Sequence, residues 1–322
     1  MKSLNRALSI GLVLAAAASM AYSEEFPSKP IRIVVPFAPA TIGDITSRIV
    51  AEKFTANTGK QMIVDNQPGA NAIIGNEAVS RAAPNGYTLV MASAGSHGLN
   101  SSFYTKLPYD PVKDFAPITQ LFSSYYFMVV GHHVAADSVR ELVALAKANP
   151  GKLTLGYAAS MTQLTAELFK LTAGIDMTLV PYKTEPQSLT DLRAGRVDIM
   201  FMPTAAALPQ IKAKAVKVLA VPSLKRSALL PDVPTVAESG YPGFEAVAWM
   251  GYMAPAGTPN AVITKLNTEI VRILQMPDVI EKFERMGLVV VGNTPEEMAE
   301  VVRREMAKWA KLFKDVKLPK AN

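Results

Sequence analysis

The sequence predicts an α/β protein of two lobes, each built on a parallel-rich sheet, with two crossover strands joining them. Three observations carry this reading. Short apolar strands alternate with amphipathic helices, the pattern of parallel sheets covered on both faces. The chain has 322 residues, which is large for a single core. Two extended runs, FAPITQLFSSYYFMVVGHH at 115–133 and FEAVAWMGYMAPAG at 244–257, are longer than a packed strand needs. Between them lies a block of about a hundred residues with its own strands and helices. On this reading the chain leaves lobe one and later returns to it. The expected division is a leader over 1–23, lobe one over 24–125 and 247–322, and lobe two over 126–246.

The elements follow in order. IRIVVPF (31–37) is an apolar strand, and a helix follows from about Ile45, with Asp44 as N-cap and Gly59 past its end. QMIVDN is a short strand, NEAVSRAA a helix, and YTLVMAS (87–93) a strand. SVRELVALAKANPG is amphipathic, capped by Asp137 or Ser138 and stopped by Pro150 and Gly151. KLTLGYA and MTLVPYK are strands flanking the helix TQLTAELFKLTA. SLTDLRAG is a helix, and VDIMFM and VKVLAV are strands before a long loop. Helices over 261–274, 277–286 and 295–312, with the strand GLVVVG among them, complete the chain.

Lys2 and Arg6 precede an apolar run at 7–20, followed by small residues at Ala21 and Ser23. That is the pattern of a cleaved secretory leader, and the run is shorter than the roughly twenty residues that span a bilayer. The mature protein is therefore expected to be soluble and exported. Cys is absent, which excludes disulfides, thiol nucleophiles, Cys-based metal sites and a lipid-anchored N-terminus. The formal charge of +6 falls to about +4 without the leader, and both signs are scattered along the chain. No basic block is interleaved with aromatics, so nucleic acid is not expected as a partner.

Catalytic patterns are missing as well. The histidines are His97, His132 and His133, and ASAGSHG lacks the Gly-x-Ser-x-Gly spacing of a nucleophile elbow. His132 and His133 are neighbours on an extended segment, so they face opposite ways and read as solvated, not as metal ligands. No P-loop, dinucleotide fingerprint or zinc spacing is present, and no cofactor or metal is expected. What the sequence does offer is a set of bends after strands, rich in small and hydroxyl residues: 38–44, 93–100, 158–163, 182–187 and 202–205. In open α/β sheets ligands sit at such bends, where helix N-termini leave N–H groups free. Several converging N–H groups can hold a carboxylate without an arginine. Ser160 or Thr162 can cap one helix there.

The motifs VVPFAPATIGDITSRIVAEKF, DNQPGANAIIG, AAPNGYTLVMAS, LPYDPVKDFAPIT, VPYKTEPQSLTDLRAGRVDIMF, LPDVPTVAESGYPGFEAVAWMGYMAPAGTP and GNTPEEM run in order along the chain. Together they resemble the periplasmic receptors of tripartite tricarboxylate transporters, the Bug receptors. The resemblance implies a two-lobed, type II-like periplasmic binding fold that shuts on a small organic anion, with no catalysis. It also implies delivery to the permease subunits of a membrane transporter, by a monomeric receptor. A module serving a membrane sensor kinase is the alternative, and an enzyme on a related two-lobed fold the third.

The positions carried over are Phe37, Pro39, Ala40, Thr41, Ile42, Gly43 and Asp44 at the first bend, with Ser93, Ser96 and His97 at the third. In the second lobe they are Ser160, Met161, Thr162, Gln163, Tyr182, Lys183, Met202 and Thr204. The departures from the family pattern fall in the same bends. The usual double glycine of the first is Ala40-Thr41, and Pro-Gly-Ala-Gly-Gly of the second is Pro68-Gly69-Ala70-Asn71-Ala72. Gln163 stands where His is common, and Tyr-Lys-Gly is Tyr182-Lys183-Thr184. Two readings of Met161 and Met202 stand open: they fill gaps in the core, or with Tyr157 they make the second-lobe wall more apolar, which favours an aromatic acid or a dicarboxylate over a hydroxylated tricarboxylate.

Overall fold

The computed structural model describes residues 26–317 and Lys320; the expected leader lies outside them. Among the described residues no helix is long and apolar enough to cross a membrane.

Strands β1 (Ile31–Val35), β2 (Met62–Asn66), β3 (Thr88–Ser93), β4 (Phe115–Ser124), β10 (Ala248–Pro255) and β11 (Leu288–Val290) form a six-stranded sheet in the order β11-β4-β10-β3-β1-β2. Strands β5 (Tyr126–Val130), β6 (Thr154–Tyr157), β7 (Thr178–Pro181), β8 (Ile199–Pro203) and β9 (Lys217–Ala220) form a five-stranded sheet in the order β7-β6-β8-β5-β9. Both are mixed. β1 runs parallel to β2 and β3, and β6 parallel to β7 and β8, but β4, β5 and β10 pair antiparallel. The antiparallel pairs come from the strands next to the crossings, because a strand arriving from the other sheet enters from the opposite edge.

The overlong run at 115–133 is split at Tyr125, with β4 in one sheet and β5 in the other. The Tyr125 carbonyl, unused by either ladder, accepts both the N–H (3.0 Å) and the Oγ1 (2.9 Å) of Thr204. The second run divides in a similar way. Phe244 and Ala246 pack in the core of the five-stranded sheet, and Trp249 and Met253 in that of the six-stranded one. Alternation along the strands sets the core layers. Ile31, Ile33 and Val35 of β1 face α1 (Ile42–Thr58), α8 (Asn260–Leu274) and α9 (Pro277–Arg285), while Val34 faces the opposite layer with Met298 and Val302 of α10 (Pro295–Val316). In the second sheet Met128 and Val130 face α4 (Val139–Ala148) and α5 (Ser160–Ala173). Phe127 and Val129 face α6 (Glu185–Arg193) and α7 (Thr204–Lys212).

Helix α10 ties the two halves together. Its Trp309, Leu312 and Phe313 pack with Leu99 of the first lobe and Leu164 of α5. Arg304 pairs with Glu245 in the second crossing at 3.2 Å, and Lys308 donates to the Glu245 carbonyl at 3.0 Å. Lys308 also pairs with the buried carboxylate of Glu305, whose other oxygen accepts from Trp309 Nε1 at 3.0 Å.

Several helix starts differ from expectation. Helix α1 begins at Ile42, so Asp44 is its third residue and not its N-cap. Helix α5 begins at Ser160 after Ala159, so neither Ser160 nor Thr162 is the cap residue. Ser138 caps α4 by accepting from the Glu141 N–H at 3.2 Å. Helix α7, beginning at Thr204 directly after β8, was not foreseen; Pro209 inside it masked the helical pattern.

Candidate functional site

At the first bend the chain turns sharply because Ala40 takes a left-handed conformation, φ 63°. A buried carboxylate fastens it. Asp44 accepts the Ala40 N–H at 2.9 Å and the Arg48 Nε at 3.0 Å, and the Arg48 bond, working against burial, holds its carboxyl below the usual range. The Asp44 charge is thus spent on the scaffold. The Thr41 hydroxyl turns back to donate to the Ala38 carbonyl at 2.8 Å, so its proton is not offered outward. Pro39, Ala40, Thr41 and Ile42 are exposed along the rim. Ile45 donates to Thr41, leaving the N–H groups of Ile42 and Gly43 without an acceptor inside the helix. Gly43 allows a close approach, since a Cβ there would lie 2.9 Å from Phe37 and 3.0 Å from the Met91 sulfur and one of these side chains would have to shift.

The second bend stores more strain. Ala70, Asn71 and Ala72 are all left-handed, φ 45°, 51° and 71°. Asn71 Nδ2 donates to the Tyr104 hydroxyl at 2.6 Å, and its carbonyl accepts from Asn100 Nδ2 at 3.0 Å. The third bend is a π-helical turn, Ala94–Leu99, running into the short α3 (Asn100–Phe103). Ser93 and Ser96 lock its start: each hydroxyl accepts the other's N–H at 3.1 Å. The Tyr109 hydroxyl donates to the Ser96 carbonyl at 2.8 Å.

These bends enclose a cavity of ≈ 210 Å³. One wall is polar, with Asn71, Ser93, Gly95, Ser96 and Asn100; the other is apolar, with Phe37, Leu99, Phe103 and Met161. Met161 comes from the second lobe, at the start of α5, and closes the cavity from across the gap. Of the expected site residues, Phe37, Ser93, Ser96 and Met161 are brought together here.

The others lie elsewhere. His97 is a core residue: its ring is fully buried 4.7 Å from that of Phe115, with Nδ1 3.0 Å from the Ser96 hydroxyl, and burial pushes its pKa down to about 3. Met202 is also buried, packed with Phe127, Val129 and Met200, because alternation along β8 turns it away from the edge. The Thr204 hydroxyl is spent on Tyr125. Buried Thr162 fastens the turn before α5, accepting the Ala159 N–H at 3.3 Å and donating to the Ala159 carbonyl at 2.9 Å. The Tyr182 hydroxyl donates to Asp191 at 2.9 Å. Gln163 is half-buried and Lys183 exposed on the second-lobe edge, and Ser160 supplies the first backbone position of α5.

Of the other lining residues, Gly95, Leu99 and Asn100 belong to the bend at 93–100 that the sequence offered, Asn71 and Ala72 belong to the second-bend motif without having been named as ligand positions, and Phe103 was missed. The second-bend motif was a usable signal for Asn71 and Ala72. Nothing in the sequence marks Phe103, whose place depends on the π turn. Among the described residues no cluster of His, Asp and Glu could hold a metal.

A cavity at the carboxyl ends of strands in one sheet, closed by a helix start from the other, is the arrangement of a two-lobed periplasmic binding protein. Residues 46–318 match the model of the tripartite tricarboxylate transporter family receptors. The chain belongs to that family. It is 36% identical over 314 residues to the UPF0065 protein in the tcbD-tcbE intergenic region of Pseudomonas sp. strain P51, covering 96% of this chain and 93% of the relative. It is 33% identical to protein BugT of Bordetella pertussis, covering 95% of each chain. Among solved structures, R. palustris Rpa4515 with adipate is 31% identical, with a TM-score of 0.72, over 92% of this receptor chain and 100% of that one. The family and these neighbours are substrate-binding proteins, as the sequence implied.

Proposed function

We propose that this receptor works in the periplasm, capturing a small organic carboxylate by closing its two lobes and handing it to the permease subunits of a tripartite tricarboxylate-type transporter. It does so as a monomer, without catalysis. The observation that carries this reading is the two-faced cavity. Its polar wall sits among bends whose helix starts leave N–H groups for an anion, and its apolar wall suits a hydrocarbon or aromatic body. The lobes divide at Tyr125 and near 246–247, and Met161, reaching across, supplies a contact that exists only when they are shut. Adipate in a similar receptor fits a ligand of this kind.

The ligand carries an apolar body beside its acid, with aromatic acids and dicarboxylates as the leading classes. Micromolar affinity corresponds to roughly −8 kcal/mol. A few charge-assisted bonds and the burial of a small apolar body supply that after ordering costs. The test is a thermal-shift screen of citrate, C4–C6 dicarboxylates, benzoate, terephthalate and nicotinate. The expected result is a shift of several degrees with an acid bearing an apolar body. A strong shift with citrate alone refutes the apolar-body reading, and no shift with any acid refutes the carboxylate receptor.

A further inference from the structure

His97 does not line the cavity, yet it holds a group that does. Ser93 and Ser96 belong to the polar wall and are themselves buried, 7% and 1% exposed. Behind them, fully buried His97 sets its Nδ1 3.0 Å from Ser96 Oγ, while its Nε2 is sealed and has no hydrogen-bond partner among the described residues. The rings beside it do not serve Nε2: Phe115 is carbon throughout, and the Tyr109 hydroxyl donates to the Ser96 carbonyl at 2.8 Å. Burial keeps the imidazole neutral, so one nitrogen carries a proton and the other a lone pair. A proton on Nε2 would be a buried donor with nowhere to go, which proteins avoid more strictly than an idle acceptor. On Nδ1 the same proton finds the Ser96 oxygen.

Counting lone pairs then fixes the hydroxyls. The Ser96 oxygen has two; one accepts the Ser93 N–H at 3.1 Å and the other the His97 Nδ1–H. The Ser93 hydroxyl, 3.2 Å away, therefore has no lone pair on Ser96 to donate to. The Ser96 proton goes to the Ser93 oxygen at 3.2 Å or to the Ser93 carbonyl at 3.5 Å. In either case the Ser93 proton is left with the cavity. Space lies open beside it, since a Cβ at Gly95, another lining residue, would meet Ser93 Oγ at 3.6 Å and nothing else within 4 Å. With the proton on Nε2 the outcome reverses. Ser96 would donate to Nδ1, away from the cavity, and its freed lone pair would take the Ser93 proton, leaving no hydroxyl proton for an anion.

We propose that His97 is a positioning residue: by donating from Nδ1 to Ser96 it commits the Ser93 hydroxyl to donate into the cavity, onto the carboxylate of the ligand. This rests on the carboxylate-receptor reading above and assigns one of its donors. The bonds from His97 to Ser96 to Ser93 all point towards the anion, and aligned bonds strengthen one another.

Two measurements on the purified full chain test this. The first is long-range proton–nitrogen correlation NMR of the imidazoles at neutral pH without ligand. The chain has three histidines, and the His97 signals are those lost in His97→Asn. The expected spectrum shows His97 protonated on Nδ1 and bare on Nε2; a proton on Nε2 overturns the inference and leaves the carboxylate receptor standing. The second is isothermal titration with citrate, adipate, benzoate, terephthalate and nicotinate. Against an acid that wild type binds, Ser93→Ala is expected to lose about ten- to a hundredfold and His97→Leu about three- to tenfold. His97→Asn, whose amide N–H can replace Nδ1–H, is expected to stay within about twofold of wild type. In the Ser93→Ala background His97→Leu is expected to cost nothing further, because its effect passes through that hydroxyl. An equal cost in both backgrounds, or a loss in H97N as large as in H97L, overturns the inference. If H97L does not fold, the NMR tautomer and the H97N and S93A affinities decide it: unchanged affinity in S93A refutes the donor. If wild type binds none of these acids, the receptor reading fails, and this one falls with it whatever the tautomer.

Discussion

His97 allows a quantitative test of how the third bend is built. Its imidazole is fully buried and burial depresses its pKa to about 3, against an ordinary value of 6.5. As pH falls below 6.5 the unfolded chain takes up the proton while the native state refuses it, so protons favour unfolding. Stability from this group is complete above about pH 6.5 and is lost progressively as pH falls towards 3. Each pH unit in that window costs about 1.4 kcal/mol, so moving from pH 7.5 to pH 5 removes about 2 kcal/mol through His97 alone. Other groups titrate over the same interval, so the measurement is a difference between two proteins. His97→Asn keeps a polar atom towards Ser96 but cannot titrate. Urea unfolding of both at pH 7.5 and pH 5 is expected to show the variant losing about 2 kcal/mol less than wild type over that interval. An equal loss in both would show that His97 protonates freely in the native state. The packing of the ring against Phe115, and with it the sealed interior of the third bend, would then be wrong.

Two further outcomes follow from the bends. Gly43→Ala places a methyl 2.9 Å from Phe37, so helix gain is outweighed by overpacking of about 1–3 kcal/mol, and ring displacement into the cavity weakens binding of whichever acid the screen identifies; unchanged urea midpoint and affinity would refute the close approach. Thr162→Val removes the hydroxyl that fastens Ala159 and is expected to lower free-state stability by about 1 kcal/mol in urea unfolding, an outcome that a purely ligand-facing hydroxyl would not produce.

Much of this receptor was legible in one dimension. Alternating apolar strands and amphipathic helices are local consequences of residue type, so the two lobes and most elements could be read directly. The run at 115–133 announced a crossing because no single packed strand needs that length. The bends could be located too, since Pro, Gly and hydroxyl residues punctuate a chain through their own backbone preferences. Which side chains those bends turn inward was a different matter. Asp44 and Thr162 carry the right chemistry for a ligand, yet each satisfies a backbone N–H of its own turn.

The sequence by itself determined the alternation, the paired crossings and the positions of the bends, because these depend on spacing and backbone propensity within a few residues. Only the tertiary structure decided that His97 and Met202 pack in cores while Met161 meets the first-lobe cavity, and that Asn71, Asn100 and Phe103 line it. The physical reason is that burial is set by neighbours distant in sequence. A side chain's surroundings, and hence its charge state and its freedom to meet a ligand, exist only once both sheets and α10 are assembled.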